Sequence, residues 1–87
     1  MRMRFFGPFY KLLGQEIDLH LSGPVSLEQL IRLLSSRYSV LEKYSKSTTD
    51  ADLSAHIVFV REGRPLRLSD PIKDDDVVQV LLPVTGG

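Results

Sequence analysis

The sequence predicts an α+β fold in which one amphipathic helix covers one face of a mixed sheet of four or five strands. Three observations carry this. Strand-like apolar stretches occur near the start, over residues 1–6 and 16–21, and again near the end, over 56–61 and 77–82. Between them only residues 27–37 show a helical apolar stripe. Finally, 87 residues at 43% hydrophobic content suffice for one domain with one modest core.

The elements follow in order. Met3 and Phe5 alternate with Arg2, Arg4 and Phe6, the period of two that turns one side of a strand inward. Gly7-Pro8 interrupts, and residues 9–14 have the makings of one helical turn closed by Gly14. In the second strand Ile17, Leu19 and Leu21 face one way and Glu16, Asp18 and His20 the other; the short join predicts antiparallel pairing with the first. Ser26 and Gln29 have capping-box spacing, and Val25 and Leu30 are placed to form a hydrophobic staple. Leu27, Leu30, Ile31, Leu34 and Tyr38 then give the helix its stripe.

Residues 39–55 read as a polar surface loop with a short helix near 40–44. Over 56–61, Ile57 and Phe59 alternate with Val58 and Val60, which predicts a strand covered on both faces. Residues 62–65 read as a turn, 66–68 as a short edge strand, 69–76 as a polar loop, and 77–82 as the last strand, stopped by Pro83. A helix linking two parallel strands of one sheet makes a right-handed crossover. The economical assembly is a twisted mixed sheet gripping one helix, the β-grasp or ubiquitin-like architecture. Residues 1–82 form that domain and 83–87 a flexible tail.

Composition narrows the chemistry. Without cysteine there is no disulfide, no thiolate nucleophile and no Cys-ligated metal. Eleven basic against eleven acidic residues give zero net charge, which argues against a nucleic-acid partner. No apolar run approaches the roughly 18 residues of a membrane span, and no signal core follows Met1, so a soluble cytoplasmic protein with no membrane partner is expected. His20 and His56 have no partners arranged for catalysis, and Asp74-Asp75-Asp76 reads as a solvated turn, so neither a metal nor a bound cofactor is expected.

The last residues, Pro83-Val84-Thr85-Gly86-Gly87, suit a different role. Glycines lack Cβ and can thread a narrow channel, and Pro83 releases the chain from the sheet. A carboxylate at Gly87 is inert until adenylated by ATP, after which sulfur or an amine can attack its carbonyl. All the catalytic groups can then belong to a partner.

Arg4-Phe5-Phe6, Leu12-Leu13-Gly14, the stretch Asp70-Pro71-Ile72-Lys73-Asp74-Asp75-Asp76-Val77-Val78 and the Pro83–Gly87 ending together resemble the MoaD/ThiS sulfur-carrier family, which includes the small subunit of molybdopterin synthase. The resemblance covers nearly the whole chain. It implies that Gly87 is the reacting terminus, adenylated by a ubiquitin-activating-like enzyme of the MoeB/ThiF type that consumes ATP. Gly87 then becomes a thiocarboxylate, which donates sulfur to an acceptor held by the large synthase subunit. Gly86, Thr85, Val84 and Pro83 would thread into the partners. The chain has no catalytic residues of its own. Related members act in thiamine or tRNA thiolation, or as modifiers joined through the equivalent of Gly87 to lysines. Asp75 stands where the family has glycine, which predicts a positive φ there. Family partners use an apolar sheet face near the tail, and strand parity nominates Phe6, Val77 and Leu81 for it.

Overall fold

Two parallel strands that come from opposite ends of the chain form the middle of the sheet. This computed structural model describes residues 1–7, 14–46 and 49–81. Among them are β1 (Arg2–Phe5), β2 (Glu16–Asp18), β3 (Val25–Ser26), α1 (Leu27–Arg37), a 3₁₀ helix (Ser39–Lys46), α2 (Asp50–Ser54), β4 (Val58–Arg61), β5 (Arg64–Pro65), β6 (Pro71–Ile72) and β7 (Val77–Leu81). The main sheet runs β2-β1-β7-β4-β5, and β3 pairs separately with β6. β1 and β7 are parallel, with Met3 opposite Val78 and Phe5 opposite Val80. β2 lies antiparallel to β1, and β4 antiparallel to β7. β2 and β4, the strands of the main sheet that precede and follow α1 in the sequence, therefore run the same way without pairing.

α1 occupies the predicted residues. Ser26 Oγ accepts from the Gln29 N–H at 3.1 Å while the Ser26 N–H donates to Gln29 Oε1 at 2.9 Å, a cap worth about 1 kcal/mol. Leu27, Leu30, Ile31 and Leu34 are buried against the sheet, each contributing about 1.5–3 kcal/mol. They meet Met3 and Phe5 from β1, Val78 and Val80 from β7, and Ile57 and Phe59 from the β4 segment in one core.

Several expectations change. β2 stops at Asp18 instead of residue 21 because its ladder runs out of partners: the Leu19 N–H donates to Met1 O, at the start of β1. Leu19 and Leu21 still point inward and are buried. The short helix expected near 40–44 lies within the 3₁₀ helix Ser39–Lys46, but residues 39–55 are more than a polar surface loop. Leu41 and Tyr44, three apart on the 3₁₀ helix, are buried, as is Leu53 of α2; the eclipsed spacing of a 3₁₀ turn puts both of the first pair on one side. Thr49 caps α2 by accepting from the Asp52 N–H.

β4 is covered on one face only. Ile57 and Phe59 are buried, whereas Val58 and Val60 are half-exposed on the face that no helix covers. The partner strand of the β4 hairpin is Arg64–Pro65 instead of 66–68. Its two-residue connection puts both Glu62 (φ 53°) and Gly63 (φ 76°) in the left-handed region, the backbone that lets a tight turn match the twist of its strands. Within 69–76, β6 pairs with β3 and carries the fully buried Ile72. Asp75 does not have positive φ; Glu62 is the one non-glycine residue that does among those described. The predicted turn at 9–14, apart from Gly14, lies outside the described residues, as do Leu82 and the tail.

Candidate functional site

β7 alternates strictly, with Val78 and Val80 buried and Val77, Gln79 and Leu81 on the open face. Its neighbours decide what each open-face residue touches. Register sets Arg2 beside Val77 and Arg4 beside Gln79. One step further puts Phe6 beside Leu81, and the Phe6 N–H donates to Val80 O at 3.2 Å. From the other side Val58 stands opposite Leu81 and Val60 opposite Gln79. Phe6, Leu81 and Val58 therefore form one apolar group at the end of β7 that leads toward Pro83, with Val60 on the same face beside Gln79.

Parity groups Phe6, Val77 and Leu81 on one face, and that grouping is correct. The structure separates them along the strand, however: Phe6 and Leu81 adjoin, while Val77 sits four residues away at the opposite end. Phe6 is 43% and Val77 46% exposed. Sequence reasoning missed Val58 and Val60 because it assigned them a second covering layer. The signal was present, since they alternate with Ile57 and Phe59 as Leu81 does with Val80. Gly87, Gly86, Thr85, Val84 and Pro83 lie outside the described residues.

The Val77 end is polar and tied down. Asp74 Oδ1 accepts from the Leu21 N–H at 2.8 Å and from the Met1 ammonium at 3.3 Å, with His20 Nδ1 3.6 Å away. The Leu21 N–H, then the ammonium, hold the Asp74 carboxyl below the ordinary carboxylate range. Asp76 Oδ2 accepts from Arg61 Nη1 at 2.8 Å and the Lys73 N–H at 2.9 Å. Burial pushes Asp76 upward, but these donors outweigh it and its carboxyl also titrates low. Residues 74–75 are the expected exposed turn, and Asp74 and Asp76 at its sides are in addition fold-holding acceptors. An open groove of about 560 Å³ lies here beside Met1, His20, Asp75 and Val77, remote from the Leu81 end. Among the described residues no three His, Asp or Glu side chains gather as a metal ion would require, and no helix is long and apolar enough to cross a membrane.

Comparison with known families places this architecture. The family model described as ThiS family matches residues 3–87. The chain belongs to the ThiS family. This family consists of small ubiquitin-like sulfur carriers that act together with partner proteins. Among solved structures, SAMP1 from Haloferax volcanii superposes with a TM-score of 0.74 at 21% identity, covering 99% of this chain and 97% of that one. The Haloferax volcanii HVO 2177 protein gives 0.77 at 24% identity, covering 99% and 84%; both likenesses establish the β-grasp fold. A Pyrococcus furiosus protein provisionally named molybdopterin converting factor, subunit 1, gives 0.65 at 28% identity over 95% of each chain. A comparison with curated proteins gave no match.

Proposed function

We propose that this ThiS-family chain carries sulfur as a thiocarboxylate on Gly87 and serves as the small subunit of a molybdopterin synthase in the cytoplasm. The carrying observation is the position of β7. It is a central strand, and the end from which the sequence continues to Pro83-Val84-Thr85-Gly86-Gly87 is flanked by Phe6, Val58 and Leu81. Six residues follow Leu81, enough to reach about 20 Å if extended. In this reading residues 1–82 are a handle, and 83–87 are the tail that enters the partners.

The chemistry is simple to balance. The Gly87 carboxylate attacks the α-phosphorus of ATP on a MoeB/ThiF-type enzyme, releasing pyrophosphate and leaving an acyl-adenylate. A protein persulfide on the activating side then attacks the acyl carbonyl and displaces AMP, giving an acyl disulfide. A second thiol there cleaves its S–S bond, leaving the Gly87 thiocarboxylate and a new disulfide on the activating side. Its sulfur passes to an acceptor held by the large subunit. The chain supplies the carbonyl and the docking face; no cofactor is bound, and ATP is consumed by the partner. Likeness to the Pyrococcus protein over 95% of each chain supports the molybdopterin branch.

Intact mass after isolation from native cells tests this. The expected result is a gain equal to sulfur minus oxygen, located on the C-terminal peptide. Di-glycine remnants on lysines of other proteins, with no thiocarboxylate, would replace this reading with conjugation through Gly87. A chain lacking Gly86 and Gly87 that still supports ATP–pyrophosphate exchange would end both.

A further inference from the structure

The two edges of the main sheet are not equivalent. β5 is two residues long and one of them is Pro65, which has no N–H to offer. β2 is open. Its Ile17 and the flanking Gln15 and Leu19 turn their backbone toward β1: the Phe5 N–H donates to Gln15 O at 3.0 Å, Leu19 and Met1 exchange bonds, and Ile17 stands opposite Met3. Strand alternation therefore points the N–H and C=O groups of Glu16 and Asp18 out of the sheet. Among the described residues nothing pairs with those four groups. Such an edge is a template for another strand.

Charge says which strand. The Glu16 and Asp18 side chains lie on the open face, where Arg4 Nε reaches Glu16 Oε1 at 3.0 Å and Arg2 Nε reaches Asp18 Oδ1 at 3.1 Å. These arginines approach from β1, on the inner side, so the outermost row remains carboxylate, and the Asp18 side chain is 73% exposed. A second copy adding through its own β2 would set these acids against acids, a destabilising cross-strand pairing.

We propose that β2 accepts an extended basic strand from a different protein, with Lys or Arg at two positions two apart facing Glu16 and Asp18, and an apolar residue between them beside half-buried Ile17. The added strand is separated from β7 by both β2 and β1, so it leaves the Leu81 end free. The inference is independent of the chemistry at Gly87.

The test uses the full chain and a blocked seven-residue peptide alternating lysine and valine, with amide hydrogen exchange read by NMR. Binding should slow exchange at Glu16 and Asp18 at least tenfold and leave Arg64 of β5 unchanged. It should weaken severalfold when salt rises from low to moderate, and vanish for a glutamate–valine peptide or one N-methylated on its edge-facing amides. Asp18→Lys should weaken it at least fivefold while leaving the folded spectrum intact. Absence of protection at Glu16 and Asp18, or equal binding by the N-methylated peptide, overturns the proposal. So does a dimer of the free chain, detected by sedimentation, in which exchange at Glu16 and Asp18 is slowed without any peptide.

Discussion

The two ends of β7 are held by different physics. At the Val77 end, the Asp74 and Asp76 carboxylates gather the Met1 ammonium, two backbone N–H groups and the Arg61 guanidinium, and Arg61 Nη1 also donates to Pro71 O at 2.7 Å. At the Leu81 end the open-face neighbours are apolar: Phe6 and Val58. Directional bonds satisfied within the fold make a finished joint. Apolar side chains left half in water make a surface that still gains by being covered. The end leading to the proposed reacting terminus is the unfinished one.

Phe5→Ala sets the scale for what lies between the ends, because Phe5 is 2% exposed in the core. Denaturant unfolding should show a loss of about 3–5 kcal/mol. Asp76→Ala breaks the polar joint and strands the Arg61 and Lys73 donors, for a loss of about 1–3 kcal/mol. Acid should dissolve the same joint. Both carboxyls titrate lower in the folded chain than the ordinary value of 3.8, so their contribution is complete above that value and is lost as pH falls through the lowered folded values. Thermal unfolding should be flat from neutral pH to about 5 and fall below about 4, and Asp74→Asn with Asp76→Asn should flatten the acid limb.

Glu62→Asn relieves a left-handed backbone that Asn tolerates better and should raise stability by about 0.5–1 kcal/mol; an unchanged melting temperature would show that the turn is not strained. Phe6→Ala should move stability least, within about 0.5 kcal/mol. Combined with Leu81→Ala it should nonetheless weaken binding to the activating enzyme more than tenfold. A wild-type affinity in that double variant would dissolve the contrast between the ends.

Legibility followed the range of the interactions. Leu27–Arg37 was readable because its cap, staple and stripe all lie between Val25 and Tyr38. The facing of Met3, Phe5, Val78 and Val80 was readable because a strand has only two sides. The interface candidate was half readable: parity chose the face of Phe6, Val77 and Leu81, but grouping Phe6 with Leu81 and away from Val77 required the β1–β7 register. Residues 39–55 were likewise half readable: the short helix near 40–44 is there, but the burial of this stretch was not legible. Leu41, Tyr44 and Leu53 are sparse apolar residues in a polar stretch, and only the core they reach explains their burial.

The sequence by itself thus determined the helix, the inward parity of the strands, the absence of any cysteine chemistry and the Gly-Gly ending. Only the tertiary structure decided that the first and last strands lie parallel at the centre, that Val58 and Val60 join Phe6 and Leu81 on the uncovered face, and that Asp74 and Asp76 are anchors. Periodicity and capping are encoded within a few neighbouring residues. Which strand lies beside which, and which carboxylate finds a buried donor, depends on groups up to 73 positions apart that meet only when the chain has closed around its core.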